Sequence, residues 1–305
     1  MTSCAQEQQP ELIKPPWIRV RAPTGTKVQE LMKLLQGQRL NTVCSSAACP
    51  NMGECWNSGV ATFMILGNQC TRACRFCNVQ SKLRPSPVDL DEPERLLKSA
   101  LAMDLKHVVI TSVARDDLPD GGALQFARCL KLIHTKAPHM TTEVLVPDFF
   151  GSLELVKIVA DENPKVFNHN VETVRRLTPR IRSKARYERS LGLLNMVKQL
   201  NEGIITKSGI MLGLGEQDHE VVETIQDLRA HNCDTLTIGQ YLRPTSWHHP
   251  VHRYVHPDLF AEFKRIALDA GFLHVESGPL VRSSYHAERA VSKRSIVYSA
   301  ARYAG

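Results

Sequence analysis

The feature of this sequence that most restricts its fold is a regular alternation of two hydrophobic patterns from residue 61 onward. Short apolar runs, typical of strands buried on both faces, alternate with longer stretches in which apolar residues recur every three or four positions, typical of helices. The runs that predict strands are ATFMILG (61–67), HVVITSV (107–113), TTEVLVP (141–147), KVFNHNVE (165–172), ITKSGIMLGL (205–214) and DTLTIGQYL (234–242), with FLHVES (272–277) as a weaker seventh. The stretches that predict helices are 91–104, 122–137, 152–161, 187–202, 219–232 and 257–271.

Alternating strands and helices predict an α/β fold in which helices cover a parallel sheet. Six strand–helix units are too few for a closed eight-unit barrel, so we expect a partial (β/α)6 parallel barrel over residues 61–277. Residues 1–60 and 278–305 are then N-terminal and C-terminal extensions, expected to cover the open end. Ligands of parallel sheets bind beyond the carboxyl ends of the strands, so functional residues are expected in the loops that follow them.

Cysteines are concentrated around the first predicted strand. The chain has nine, and six of them lie between positions 44 and 77. In a reducing compartment such clustering indicates metal binding or catalysis rather than disulfides. Cys70, Cys74 and Cys77 follow the strand with the spacing C-x3-C-x2-C. Three thiolates suit a 4Fe–4S cluster with one open iron, whereas a structural zinc site usually has four ligands in two pairs.

A second triplet precedes the strand. Cys44, Cys49 and Cys55 are spaced C-x4-C-x5-C, and the nearest downstream histidine is His107. A zinc knuckle would normally recruit a nearer histidine, so a second iron–sulfur cluster is favoured, again with one protein ligand missing.

Composition and charge restrict the partners. The formal net charge is +7 and the pI is about 9.0, with basic residues spread along the chain, so an acidic partner would be attracted. No run of about eighteen apolar residues occurs, which predicts no membrane-spanning helix. The N-terminal sequence MTSCAQEQQPEL has the features of neither a signal peptide nor a transit peptide, so a cytoplasmic location is expected. Cys129 and Cys233 are interpreted as packed residues without chemistry.

The first triplet has the form C-x3-C-x-Phe-Cys, with Phe76 before its last cysteine, and so resembles the radical S-adenosylmethionine superfamily. The resemblance implies that S-adenosylmethionine occupies the open iron through its amino and carboxylate groups. It also implies that the cluster cleaves this cofactor to a 5′-deoxyadenosyl radical, which abstracts hydrogen from an unactivated carbon. On the residues alone, Phe76 is either a core residue or a neighbour of the adenine ring.

The two triplets followed by Arg-Ser-Ser-Tyr near the C-terminus, here Arg282 to Tyr285, resemble the lipoyl synthase family. The resemblance implies that Ser284 ligates the fourth iron of an auxiliary 4Fe–4S cluster. That cluster would donate both sulfur atoms inserted at C6 and C8 of a protein-bound octanoyl chain, with two S-adenosylmethionine molecules used per lipoyl group. Arg282 is expected either to shield the auxiliary cluster electrostatically or to form an ordinary surface pair.

Polar residues at the strand ends are candidates for binding S-adenosylmethionine, each with an alternative structural role. Thr111 and Ser112 would hydrogen-bond its methionine part or merely cap the strand. Asn170 and Glu172 would bind ribose or amino groups, unless Glu172 begins a helix. Arg182 would pair with a carboxylate or lie on the surface.

A histidine-rich tract, His248 to His256, is broken by prolines. Because all clusters already have ligands, we expect this tract to form a rim loop that touches either substrate or nothing.

The family resemblance also implies the partners. They are octanoylated lipoyl carrier domains of 2-oxoacid dehydrogenase complexes and the glycine cleavage H-protein, an electron donor such as flavodoxin or ferredoxin, and an iron–sulfur carrier that rebuilds the auxiliary cluster. Neither a nucleic acid nor a membrane is expected as a partner. Other functions left open are biotin synthase, a tRNA methylthiotransferase, a zinc-bearing nucleic-acid module and a two-cluster electron carrier.

Overall fold

The computed structural model describes residues 12–18, 26–38, 40–46, 49, 51–285 and 287–289. Its strands are β1 (Asn41–Thr42), β2 (Val60–Ile65), β3 (Gln69–Cys70), β4 (Gln80–Ser81), β5 (His107–Ser112), β6 (Thr141–Leu145), β7 (Val166–Asn168), β8 (Ile205–Leu212), β9 (Thr235–Gln240) and β10 (His274–Gly278). Its α-helices are α1 (Thr26–Gly37), α2 (Val43–Ser46), α3 (Met52–Asn57), α4 (Glu92–Ala102), α5 (Ala123–Lys136), α6 (Leu153–Ala160), α7 (Thr178–Ile181), α8 (Tyr187–Leu200), α9 (Asp218–Ala230) and α10 (Pro257–Asp269). Two 3₁₀ helices span Pro16–Ile18 and Phe149–Gly151. Residues 1–11, on which the absence of a leader peptide was predicted, lie outside the described residues.

Eight strands form one sheet in the order β1-β2-β5-β6-β7-β8-β9-β10. All neighbouring pairs from β2 to β10 are parallel, and only β1 runs antiparallel to its neighbour β2. The six predicted strands and the weaker seventh are all present, and a helix follows each of the first six. The predicted α/β class and partial (β/α)6 architecture are therefore confirmed. Within the described ranges β1 and β10 form the two edges of the sheet.

Helix α4 shows how the sequence sets a helix and its buried face. Pro93 near the N-terminus supplies a preset φ and lacks only an N–H that the first turn cannot use. Leu96 and Ala100 are fully buried, one turn apart. Leu101 is 47% exposed, and Asp104 lies beyond the helix with φ 51°. The helix predicted over 91–104 is therefore present as Glu92–Ala102, but placing Leu101 and Asp104 on its buried face was wrong.

Two hydrophobic clusters hold the helices on the sheet. One joins β2, β5 and β6 to α4, α5 and α6 and contains Phe63 and Phe126. The other joins β8 and β9 to α8, α9 and α10 and contains Phe260. Each such side chain contributes roughly 1.5–3 kcal/mol by leaving water. Cys129 lies in the first cluster and Cys233 in the second, which confirms both as packed residues.

Charged residues are buried among the strands as well. Glu143 on β6 and Lys207 on β8 form an ion pair with Nζ–Oε distances of 2.9 and 3.1 Å, and their side chains are 0% and 3% exposed. Asn168 on β7, the strand between them, donates its Nδ2 hydrogen to Glu143 at 3.1 Å. Nε2 of His107 lies 3.7 Å from the same carboxylate. These four side chains form one buried polar cluster that links the neighbouring strands β5, β6, β7 and β8.

The segments before β2 and after β10 both rest on the sheet. Asn41 pairs with Met64, and the backbone N–H of Gln240 donates to the carbonyl of Pro279 at 3.4 Å. The predicted division of the chain at 61–277 falls next to the first residue of β2 and the last residue of β10, and it stays a prediction. In the part of the chain that the structure describes, no helix is both long and apolar enough to cross a membrane.

Candidate active site

The first cysteine triplet lies in the loop that follows β2, at its carboxyl end. Cys70, Cys74 and Cys77 are half-buried free thiols. Sγ of Cys70 accepts hydrogen bonds from the backbone N–H groups of Arg72 at 3.4 Å and Ala114 at 3.3 Å, which tie this thiol to the end of β5. Burial raises the pKa of Cys77 to about 12, so a cluster that binds here must displace its proton.

Arg72, inside this loop, ties it to the ends of two neighbouring strands. Its guanidinium is 8% exposed, and Nη2 lies 2.9 Å from Asp116 Oδ1, after β5, and 2.7 Å from Asp148 Oδ1, after β6. Arg189 adds a second cation to Asp148 at 3.1 Å. Burial raises the pKa of Asp148, but the bonds from Arg72 outweigh it and hold that pKa at about 2. Buried charge-assisted bonds thus fix the loop on the sheet.

The histidine tract after β9 supports the same loop. Nε2 of His248 lies 3.0 Å from the carbonyl oxygen of Cys77, and its Nδ1 lies 2.8 Å from Thr245 Oγ1. Because a carbonyl only accepts, Nε2 carries the proton and Nδ1 accepts from the Thr245 hydroxyl. The backbone N–H of His249 donates to the carbonyl of Arg75 at 2.8 Å. Of the two alternatives expected for this tract, contact with nothing is wrong, since it contacts the cysteine loop, and contact with substrate stays a prediction.

The second triplet lines one cavity together with Ser284. The cavity holds about 270 Å³ of empty space, part of it open to solvent, and Cys44, Cys49 and Cys55 all border it. The backbone N–H of Cys49 donates to the carbonyl of Cys44 at 2.9 Å, which holds the first two cysteines of the triplet together. Burial raises the pKa of all three thiols, that of Cys55 to about 12. Three soft donors and one oxygen donor thus meet in one place.

Arg282 borders the same cavity. Burial lowers the pKa of its guanidinium, and Cys49 acts in the opposite direction, which shows that the two groups interact electrostatically. Nη1 donates to the carbonyl of Val281 at 2.7 Å, so the side chain folds back toward its own backbone. Of the two roles expected for Arg282, this position favours a cation beside the thiols over a surface pair.

Thr111 and Ser112, at the end of β5, differ in how their hydroxyls are used. Thr111 Oγ1 donates to the carbonyl of Leu145 on β6 at 2.8 Å, which ties the two strands together. Ser112 Oγ is buried and has no hydrogen-bond partner among the described residues. Ser112 thus keeps its hydroxyl available to a ligand, whereas Thr111 offers only its lone pairs.

The candidates after β7 lie together. Asn170 Nδ2 donates to Glu172 Oε1 at 3.1 Å, and Arg182 Nη1 donates to the carbonyls of Asn170 and Val171 at 3.1 and 3.0 Å. Glu172 has φ 66° and bridges to Ile210 on β8, so it does not begin a helix. Burial raises the pKa of Glu172, against the attraction of Arg182. Asn170 Oδ1 and Arg182 Nε are buried with no partner in the described structure, as expected of groups that face a ligand.

Phe76 is partly buried against the second hydrophobic cluster. This position agrees with the first suggested role of Phe76, that of a core residue. Its second suggested role, contact with an adenine ring, stays a prediction.

Comparison with known proteins identifies the family. Residues 64–228 match the Radical SAM superfamily. The chain is 53% identical over 274 residues to a lipoyl synthase from Rubrobacter xylanophilus, covering 90% of this chain and 85% of the relative. It is 53% identical over 286 residues to a lipoyl synthase from Oceanobacillus iheyensis, and 54% over 285 residues to one from a Geobacillus species, covering 93% of this chain each time and 91% and 95% of the relatives.

The chain belongs to the lipoyl synthase family. Lipoyl synthases act on lipoyl carrier proteins, and their cofactors are S-adenosylmethionine and 4Fe–4S clusters, so the activity and cofactors expected from the sequence are confirmed at this level. The other functions left open by the sequence, from biotin synthase to a zinc-bearing nucleic-acid module, are not supported.

Two solved structures share the fold. Methylornithine synthase (PylB) aligns with a TM-score of 0.51 at 12% identity, covering 82% of this chain and 81% of that one. The hydrogenase maturase HydG aligns with a TM-score of 0.52 at 13% identity, covering 88% and 74%. At such low identity the likeness concerns the fold alone.

The residues present fit the cofactors of the lipoyl synthase family. Each triplet supplies three soft thiol donors, the type that iron–sulfur clusters require. In the described part of the chain, no three His, Cys, Asp or Glu side chains are grouped so that they could hold a single metal ion. At the strand ends, the buried polar atoms of Ser112, Asn170 and Arg182 that have no partner suit a polar cofactor.

Several residues that shape this site were not predicted from the sequence. Arg72 and Asp148 anchor the first cysteine loop, while Glu143 and Lys207 form a buried ion pair among the strands. The sequence held a signal for Glu143 and Lys207, because each is the only charged residue in its predicted strand. A lone charge in a strand buried on both faces requires a partner on a neighbouring strand.

Proposed function

We propose that this chain inserts two sulfur atoms, at C6 and C8, into an octanoyl chain carried on a protein lysine. The observation that carries the proposal is the single cavity bordered by Cys44, Cys49, Cys55 and Ser284. Three thiols and a distant serine oxygen at one cavity are the donor set expected for an auxiliary cluster with one weak ligand. A weakly held iron suits a cluster that gives up its sulfide.

The first triplet is proposed to hold the cluster that binds S-adenosylmethionine. When bound, the cluster and this cofactor supply the radical that removes hydrogen from the octanoyl chain. Cys70, Cys74 and Cys77 would ligate three irons, and Arg72 keeps their loop against the sheet. Three groups of residues are proposed to hold the cofactor: Phe76 in the cysteine loop, Thr111 and Ser112 at the end of β5, and Asn170, Glu172 and Arg182 after β7. Arg182 has an uncommitted buried Nε, which suits it to a carboxylate.

The second triplet, with Ser284, is proposed to hold the sulfur donor. Arg282 places positive charge beside thiols that become thiolates when iron binds, and so offsets part of their mutual repulsion. Two S-adenosylmethionine molecules would be used per lipoyl group, since two C–H bonds are broken.

The proposed carriers are the lipoyl domains of 2-oxoacid dehydrogenase complexes and the glycine cleavage H-protein. The net charge of +7 supports an acidic carrier by long-range attraction. A flavodoxin or ferredoxin would supply electrons, and an iron–sulfur carrier would rebuild the auxiliary cluster. A cytoplasmic location is proposed, because the six clustered cysteines must stay reduced to bind iron.

The test is anaerobic incubation of the reconstituted chain with an octanoylated peptide, S-adenosylmethionine and a reductant, followed by mass spectrometry. The expected product carries two additional sulfur atoms. Separate alanine variants at Cys44, Cys49 and Cys55 should abolish this product while cofactor cleavage continues. Cys129→Ala, at a thiol buried in the hydrophobic core, is the control and should still form the product. Product formation by a variant of the second triplet would disprove the donor role.

A further inference from the structure

The segment that carries Ser284 is attached to the N-terminal extension on both sides of that serine. On one side, Asn51 Nδ2 donates to the carbonyl of Leu280 at 2.8 Å. On the other side, the hydroxyl of Tyr285 donates to the Glu54 carboxylate, 3.3 and 3.2 Å from its two oxygens. These contacts join residues that are 229 and 231 positions apart in the sequence. We call them the two cross-links.

The first cross-link uses a side chain that would ordinarily serve its own helix. Asn51 is the N-cap of α3, where asparagine normally accepts a hydrogen bond from an N–H of the first turn. Its side chain makes no such bond. It is 8% exposed, borders the thiol cavity and reaches across to Leu280 instead. The local cap is given up for a contact with the other end of the chain.

The second cross-link connects the immediate neighbours of two cavity residues. Glu54 precedes Cys55, and Tyr285 follows Ser284. Glu54 also lies in the first turn of α3, where a carboxylate is favoured by the helix dipole, so its position is set independently of Tyr285. The bond therefore holds Ser284 relative to a helix that itself carries a thiol of the triplet.

We propose that Asn51 and Glu54 are positioning residues that keep the Ser284 hydroxyl within ligating range of the iron held by the second triplet. The proposal rests on the proposed function, because it assumes an auxiliary cluster at this cavity. A serine oxygen binds iron less strongly than a thiolate, so its ligation depends on correct placement more than that of the cysteines does. The two cross-links then set how readily that iron is released.

The test measures iron release to a chelator, and the Mössbauer spectrum, in the anaerobic full-length chain loaded with clusters. Tyr285→Phe removes one hydroxyl and should speed release of the auxiliary iron about fivefold. Tyr187→Phe is the matched control, since it removes a tyrosine–carboxylate bond to Asp227, between α8 and α9, and should change nothing. Glu54→Ala should behave like Tyr285→Phe, whereas Glu54→Gln keeps an acceptor oxygen and should stay within twofold of the unchanged chain. Asn51→Ala leaves the part-buried carbonyl of Leu280 unpaired and should speed release about tenfold.

Two negative results have different meanings. If Tyr285→Phe matches Tyr187→Phe in rate and spectrum while Ser284→Ala changes both, the cross-links do not position the ligand, and the proposed function stands. If Ser284→Ala itself leaves the release rate and the spectrum unchanged, Ser284 is not a ligand. In that case the positioning role and the proposed ligand set are both overturned.

Discussion

Replacing Lys207 by methionine should destabilise the protein strongly and in a pH-dependent way. Methionine keeps the length of the side chain and removes the charge that faces Glu143. In the native chain, burial raises the pKa of Glu143, but the charge of Lys207 outweighs it and leaves that pKa below its ordinary value. In the variant the carboxylate keeps Asn168 as a donor and His107 at 3.7 Å, with no lysine.

The size of the effect follows from protonation. Without Lys207, burial raises the pKa of Glu143, so the carboxyl takes up a proton in the folded variant at neutral pH. In the unfolded chain its pKa is about 4.3. Holding the proton at pH 7 then costs about 2.7 units times about 1.36 kcal/mol, or about 3.7 kcal/mol. This lies in the range of about 3–5 kcal/mol expected when one partner of a buried ion pair is removed.

The assay is urea unfolding of the cluster-loaded chain, without oxygen, at several pH values. Because the folded variant has a raised pKa, the stability gap to the native chain should shrink by about 1.4 kcal/mol per unit as pH falls from 7 toward 5. Adding Glu143→Gln to Lys207→Met should recover at least about 2 kcal/mol, since no buried charge remains. Lys157→Met, which breaks an exposed pair with Asp161, should cost under about 0.5 kcal/mol. A cost below about 1 kcal/mol for Lys207→Met, or one that is equal at pH 5 and pH 7, would refute the reasoning.

Two further predictions concern the supports of the two cysteine sites. The pKa of Asp148 is about 2 when folded and 3.8 ordinarily, so its pairing with Arg72 stabilises the fold above pH 4 and is lost as pH falls toward 2. Asp148→Asn should therefore lower the free energy of unfolding by about 2 kcal/mol at pH 7 and by less at pH 3. Equal losses at the two pH values, measured by urea unfolding, would contradict this. At Gly239 an added Cβ would lie 2.2 Å from the carbonyl oxygen of Val281, so Gly239→Ala should displace the Ser284 segment from the sheet. The variant should lose about 1–3 kcal/mol of unfolding free energy and bind less iron per chain. Gly192→Ala, on α8 with no atom within 4 Å of the added Cβ, should instead stabilise the protein by about 0.5–1 kcal/mol in thermal unfolding. Equal thermal stability of the two glycine variants would contradict the role given to Gly239.

The sheet and its helices could be predicted because their pattern is local. Strands buried on both faces are apolar runs, and each helix shows its own periodicity, so neither requires knowledge of distant residues. The prediction failed where the backbone leaves the pattern. The strand predicted over 165–172 ends at Asn168, because the residues beyond it turn toward the site and Glu172 takes a positive φ. The departure from regular structure coincides with candidate ligand residues.

The site was predictable only where the chemistry demands a rare residue type. Cysteine spacing identified both triplets without any fold, and family resemblance was needed to connect Ser284 with the second. Arg72, Asn51 and Glu54 could not be found in this way, because arginine, asparagine and glutamate are common on surfaces. Their hydrogen-bond partners are 44 to 231 residues away in the sequence, so only the tertiary structure reveals these bonds.

The two cysteine sites differ in what holds them, and this difference matches their proposed tasks. The first triplet follows the first strand of the parallel sheet, and buried ion pairs to the ends of β5 and β6 fix it. At the second site the N-terminal piece packs into the first hydrophobic cluster through Cys44 and Trp56, whereas the C-terminal piece is held by two hydrogen bonds and a close backbone approach at Gly239. Segments with few buried contacts open at lower free energy than a sheet core. Under the proposed function the second cluster gives up sulfide, and we expect the C-terminal piece beside it to open for this step while the first site stays in place.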